Sequence, residues 1–335
     1  MTYYPYAVCN ETTDLHASQV PTHVENCLVI GGNLIAFFLM MINSRYHQWH
    51  SFYILFAGLV FTDLLQSCVL YPVTILRYTS NFTWCYTKPL CDAVSFTFSF
   101  TQLSSGAIVS CMAIDRYLCL TRTDFLRRAR CIRLRYFGVL CAVWCFVALV
   151  CSLHLIGLGN SQLYFPGSWC FIDFTQTSTG NRVNSLIYSV CGICVIISTS
   201  FSNIASVVLS CKDNEYRARL LEHNRVTGVY DTHVTIFLVV ALFVYVAFFG
   251  PFILDVFLHA IGLVEGNGKV ELWLIRLSYM NSIINPWLYI VLRKESLLKF
   301  VRMYYYCCRF SSEETLENET DEETLENKAS DATLD

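Results

Sequence analysis

The sequence predicts an all-α membrane protein: a seven-transmembrane helix bundle followed by a short amphipathic cytoplasmic helix. Two observations carry this. The 335 residues are 55% hydrophobic and only 15% charged, against roughly 25% charged in soluble domains. The polar residues are also crowded between long apolar runs, each near the ~20 residues that cross ~30 Å of hydrocarbon as a helix.

Seven such runs are legible, at about 20–42, 52–77, 92–118, 136–158, 183–210, 231–262 and 270–292. Glu25 interrupts the first, and Ser198, Thr199, Ser200, Ser202 and Asn203 dilute the fifth. Both still read as helices, because hydroxyl side chains bond back to the preceding turn. Residues 1–19 form an N-terminal segment without the basic start and apolar stretch of a cleavable signal, so the first span is expected to direct its own insertion. Residues 20–292 form the membrane domain, 293–306 the amphipathic helix, and 307–335 an acidic tail. The tail repeats EETLEN at 313–318 and 322–327 and is expected to be disordered.

Loop charges set the orientation. Six arginines (Arg122, Arg127, Arg128, Arg130, Arg133, Arg135) follow the third run. Lys212, Arg217, Arg219 and Arg225 follow the fifth, and Arg293, Lys294, Lys299 and Arg302 follow the seventh. Basic loops stay cytoplasmic, so the N-terminus is expected outside and the C-terminus in the cytoplasm of a plasma-membrane protein. The sequons at Asn10 and Asn81 then fall outside, where glycosylation is expected, and a third at Asn318 falls inside.

Most of the 17 cysteines lie within spans and read as small buried hydrophobes. Cys91 opens the third run and Cys170 lies in the loop after the fourth; a disulfide there would pin the outer loop over the bundle. Cys9 and Cys85 form a second candidate pair. Cys307 and Cys308 follow a basic amphipathic stretch and suit palmitoylation.

Ionisable groups inside a membrane helix cost about 2.5–3.5 kcal/mol on insertion scales and invite functional readings. Asp63 lies midway along the second run, Asp115-Arg116-Tyr117 closes the third, and Asn285-Pro286-Trp287-Leu288-Tyr289 closes the seventh. Together with Gly32-Asn33, Trp144 and Pro251, in the same order and the same spans, this resembles the rhodopsin-like G-protein-coupled receptors. The resemblance implies that Asp115, and Asp231 at the inner end of the sixth helix, hold Arg116 at rest; Asp231 also reads as a helix N-cap. Breaking that link would open a cavity for a heterotrimeric G protein. Asp63 with Ser105, Asn281 and Asn285 reads either as an oxygen-lined sodium site or as a watered polar network. Pro251 and Pro286 supply kinks for a two-state switch that includes Tyr289. No other cofactor and no nucleic-acid partner is expected.

The segment Gly157 to Asp173 (GLGNSQLYFPGSWCFID), Ile275-Arg276-Leu277 with Pro286-Trp287, and Tyr71-Pro-Val-Thr-Ile75 with Tyr78 resemble the prostanoid receptor family. The similarity is closest to the prostaglandin E receptors that raise cyclic AMP. It implies a prostanoid lipid ligand, a stimulatory G protein, and receptor kinases and arrestin acting at the tail. Arg276 would grip the ligand carboxylate, a pairing a guanidinium suits geometrically. Ser168, Thr74 and Tyr78 would bond the head group, Trp169 would cover the chains, and Gln102 and Ser104 would meet ring or chain oxygens. A second reading pairs Arg276 with Asp255 as a structural ion pair. Arg77 reads as a snorkelling interface residue or a further anion partner. The chain departs from the prostanoid pattern with Asn285 in place of the usual aspartate, Tyr279 in place of a serine, and Asp255.

Other classes fit less well. A transporter should show matched broken helices, and an opsin needs a lysine between 271 and 292, where there is none. An enzyme would need a nucleophile–base or metal-ligand spacing. A receptor homologue that signals without ligand, or acts as a ligand sink, stays open.

Overall fold

The structure, a computed structural model, describes residues 20–42, 51–121, 132–175, 178–220 and 226–292, with the backbone alone described through most of 210–234. The chain divides into two units, Met1–Tyr289 and Ile290–Asp335. Of the second, residues 290–292 are described, the end of the last helix. The amphipathic helix expected at 293–306, the tail at 307–335 and the N-terminal segment 1–19 lie outside the described residues.

The described helices are α1 (Val20–Ile42), α2 (Ser51–Thr79), α3 (Lys88–Thr121), α4 (Ile132–Cys151), α5 (Thr179–Leu220), α6 (Val226–Phe248), α7 (Gly250–Ala260) and α8 (Gly268–Leu292). The first five are each long and apolar enough to cross a membrane. The sixth run, read from the sequence as one span, breaks into α6 and α7 with a 43° bend. The cause is local: Pro251 has no N–H to give the carbonyl four residues back, and it sits instead in the first turn of α7, where that donor is not needed. α8, the seventh run, carries Lys269, Glu271 and Arg276 and continues through Pro286.

Large apolar side chains cover the outside of the bundle while several polar ones lie within it. Phe38, Phe146, Leu149, Phe201, Phe243 and Trp273 are exposed, whereas Asn33, Asp63, Gln102, Ser104 and Asn281 are buried. Lipid solvates the apolar outside, so polar groups must satisfy one another inside. α3 is the central helix, packed against α2, α4, α5 and α6 and against the outer loop. Its buried hydroxyls fold back on the helix, as in Ser99 to the Ser95 carbonyl and Thr101 to the Thr97 carbonyl, both at 2.8 Å.

One feature departs from the all-α expectation. The loop after α4 forms an antiparallel hairpin, β1 (Ser161–Tyr164) and β2 (Trp169–Ile172), with Leu163 opposite Cys170 and Tyr164 opposite Trp169. Both strands are fully buried. Pro166-Gly167 between two aromatic-rich runs was the available signal for this turn.

Candidate ligand pocket and switch clusters

The hairpin is fastened at several points. Cys170 on β2 is disulfide-bonded to Cys91 at the start of α3, the bridge expected from their places at the outer end of the third span and in the outer loop. Cys85 is also in a disulfide; the Cys9 half of the expected pair lies outside the described residues. Trp169 donates from Nε1 to the Phe165 carbonyl at 2.8 Å and stacks on Tyr164 with ring centres 4.6 Å apart. The Tyr164 hydroxyl donates to the Ile172 carbonyl at 3.0 Å, and burial holds that hydroxyl well above the usual tyrosine range, so it stays a neutral donor.

Arg77 does not snorkel. It is 4% exposed and gives hydrogen bonds to the carbonyls of Gly167 (2.9 Å), Phe82 (2.7 Å) and Trp84. Its charge is spent tying the end of α2 to the hairpin turn. That leaves Arg276 as the cation of the outer bundle to be explained.

At the outer end of the bundle, α2, the hairpin and the α2–α3 loop bring hydroxyls together. Tyr78 and Ser168 face each other at 3.4 Å, and Tyr86 donates to the Ser168 carbonyl at 3.0 Å. Thr74 reaches the Tyr86 hydroxyl, whose ionisation is pushed up first by burial. Tyr279, one turn inward from Arg276, lies within electrostatic reach of both Tyr86 and Glu25, and its ring packs beside Phe98 with centres 5.7 Å apart.

Arg276 itself is half-buried, and its Nη2 has no hydrogen-bond partner. The pairing with Asp255 does not form. Asp255 instead faces His259, one turn along the same helix, with Nδ1 3.5 Å from the carboxylate and 2.9 Å from the Asp255 carbonyl. The carboxylate that Arg276 does feel is Glu25 on α1, a residue the sequence flagged only as an interruption. Gln102 and Ser104 are buried on α3; Gln102 Nε2 lies 3.5 Å from the Ser278 carbonyl, and its Oε1 and the Ser104 hydroxyl have no partners.

The mid-bundle cluster is built differently. Asp63 is fully buried and accepts from Ser282 Oγ at 2.9 Å and from Asn285 Nδ2 at 3.5 Å. Ser282 also lies 3.4 Å from Gln66 Oε1, and Asn281 Nδ2 lies 3.5 Å from Ser105 Oγ. Of the four residues read from the sequence, Asn285 meets Asp63, with Ser282 and Gln66 joining them, and Asn281 meets Ser105 in a separate contact. A serine one turn from Asn285 was a weak signal by itself, because only helix phase shows which hydroxyls face inward.

At the inner end, Asp115 accepts a hydrogen bond from Tyr136 on α4. Arg116 lies 3.3 Å from Thr235 Oγ1 on α6. Neither Tyr136 nor Thr235 was singled out from the sequence. The Asp231 side chain, expected to hold Arg116, lies outside the described residues, as do Asn10, Cys307 and Cys308. Trp144 donates to Thr62 Oγ1 at 3.2 Å, joining α4 to α2, and Tyr289 stacks on Phe56 with ring centres 4.4 Å apart.

Residues 32–289 match the family model described as "7 transmembrane receptor (rhodopsin family)". The chain belongs to this family. The receptor is therefore a multi-pass membrane protein and not an enzyme. It is 27% identical over 312 residues to the human prostaglandin E2 receptor EP4 subtype, covering 81% of this chain and 63% of that protein. It is 30% identical over 292 residues to the mouse prostacyclin receptor, covering 83% of this chain and 67% of that one. The receptor thus spans less than two thirds of the length of the EP4 relatives it matches. Squid rhodopsin shares the fold, with a TM-score of 0.73 at 16% identity over 92% of this chain and 88% of that one.

Proposed function

We propose that this receptor binds a prostanoid lipid of the prostaglandin E type and signals through a heterotrimeric G protein of the stimulatory class, raising cyclic AMP. One observation carries the reading: the guanidinium of half-buried Arg276 at the outer end of α8, whose buried Nη2 has no partner. Desolvating such a donor without a partner costs free energy, and a ligand oxygen recovers it. Thr74, Tyr78, Tyr86 and Ser168 supply hydroxyls of the kind a carboxylate and ring oxygens accept from. Trp169 lies 9% exposed within the hairpin, where it closes the pocket as part of the lid and leaves the hydrocarbon chains to Phe98 and its apolar neighbours. The relatives named above bear prostanoid names, which agrees with this chemistry.

Signalling would pass through Arg116. Its contact with Thr235 bridges α3 and α6, and the 43° break between α6 and α7 gives the inner half of the sixth span a hinge on which to swing. In this reading the N-terminus and the sequons Asn10 and Asn81 are outside. The basic loops face the G protein, and the tail with Cys307 and Cys308 serves palmitoylation, receptor kinases and arrestin. We also propose the Asp63 cluster as a sodium site. Its donors are carboxylate, hydroxyl and amide oxygens, which suit a hard cation, and Asp63, Ser105, Asn281, Asn285 and Ser282 would hold the ion.

Cyclic AMP measured in cells expressing the receptor, with and without prostaglandin E2, tests the reading. A dose-dependent rise that Arg116→Ala abolishes without loss of binding is expected. A raised signal indifferent to every prostanoid would favour the ligand-independent alternative, and binding without signal would favour a sink.

A further inference from the structure

α1 and α8 cross the bundle in the same sense and touch closely near its middle. Asn33 Nδ2 donates to the Ser282 carbonyl at 3.3 Å. A Cβ on Gly32 would lie 3.1 Å from both Pro286 Cγ and Trp287 Nε1, so the missing side chain is what lets the helices approach. Moving outward by roughly two helical turns on both carries Asn33 to Asn26 and Ser282 to Ile275. Glu25 therefore lies level with Arg276 and the Tyr279 turn, and its electrostatic neighbours are these two residues.

Glu25 does not cover the guanidinium. Among the described residues Arg276 makes no ion pair within 4.0 Å, and Nη2 stays without a partner. The Glu25 carboxyl group lies within electrostatic reach of Arg276 but beyond ion-pair distance, so Nη2 is left open. Arg182 and Lys269 stand in the first turns of α5 and α8, whereas several other ionisable groups near the outer end have neighbours of their own. Asp255 faces His259, Glu271 caps the start of α8 by accepting from the Asn267 N–H at 3.0 Å, and His23 meets Tyr71 at 2.8 Å. A second anion brought to Arg276 would share one cation with Glu25 in a poorly screened site, whereas an ester or hydroxyl would accept from the open donors and leave the charges balanced.

We propose that Glu25 is a specificity-determining residue of the ligand pocket: an internal carboxylate that competes with acidic head groups for Arg276 and favours lipids whose head group is uncharged. This rests on Arg276 being the head-group anchor. The test compares prostaglandin E2 with its methyl ester on membranes carrying the full-length receptor, its Glu25→Gln, Glu25→Asp and Arg276→Gln variants, with surface expression matched. Glu25→Gln is expected to tighten the free acid about tenfold and to move the ester by less than about threefold; Glu25→Asp, which keeps the charge, should restore the wild-type ratio. Equal changes for acid and ester, or no change in Glu25→Gln, would overturn the competition while Arg276→Gln still abolished binding. Unchanged binding in Arg276→Gln would overturn the anchor itself, and absence of binding by either lipid to wild type and Glu25→Gln alike would overturn both.

Discussion

Asp63 and Arg276 are both ionisable groups inside the bundle, yet their surroundings are opposite. Asp63 is wholly buried, with Ser282 and Asn285 donating to it from one helix. Arg276 has an open donor and a counter-charge held at a distance on another helix. A carboxylate that already accepts from its neighbours holds helices in register and responds to small shifts of those neighbours, whereas an open charged donor gains free energy from something entering the site. The mid-bundle cluster thus suits a conformational element, and the outer cluster suits a binding site.

The sharpest way to break this division is to remove the lid. Cys91→Ser opens the bridge to β2 and should destabilise the outer region by about 2–5 kcal/mol, seen as lost surface expression or a lowered melting temperature in detergent. Next, Arg276→Ala should weaken prostaglandin E2 binding about a hundredfold at unchanged expression; unaltered affinity in radioligand binding would erase the contrast between the clusters. Asp63→Asn keeps the shape of the mid-bundle cluster and should leave affinity within about threefold. It should remove any sodium dependence of agonist binding and lower the cyclic AMP maximum, a change of about 1–2 kcal/mol in the switch equilibrium. The smallest effect is expected from Ser168→Ala. Its hydroxyl meets Tyr78 at 3.4 Å, so a loss of less than about 1 kcal/mol, read as a faster ligand off-rate, would fit.

The sequence carried the membrane architecture because lipid imposes a length and a composition on each span, and both are local properties. The first run, 20–42, coincides with α1, and the others agree within a few residues except where α5 extends to Leu220, α4 stops at Cys151 and the sixth run breaks. Motifs fixed which polar residues to watch, and these meet in two pairs, Asp63 with Asn285 and Asn281 with Ser105. What the sequence could not carry was pairing across helices. Arg77 read as an interface residue because its carbonyl partners lie on loops whose path depends on the hairpin. Asp255 offered a second reading as the partner of Arg276 because both stand near the same end of the bundle, yet its carboxylate lies by His259. Glu25 read as a flaw in a span until the packing at Gly32 and Asn33 set the register of α1 against α8. Membrane class was decided by composition; the partner of each buried charge was decided by helix rotation, which no single segment encodes.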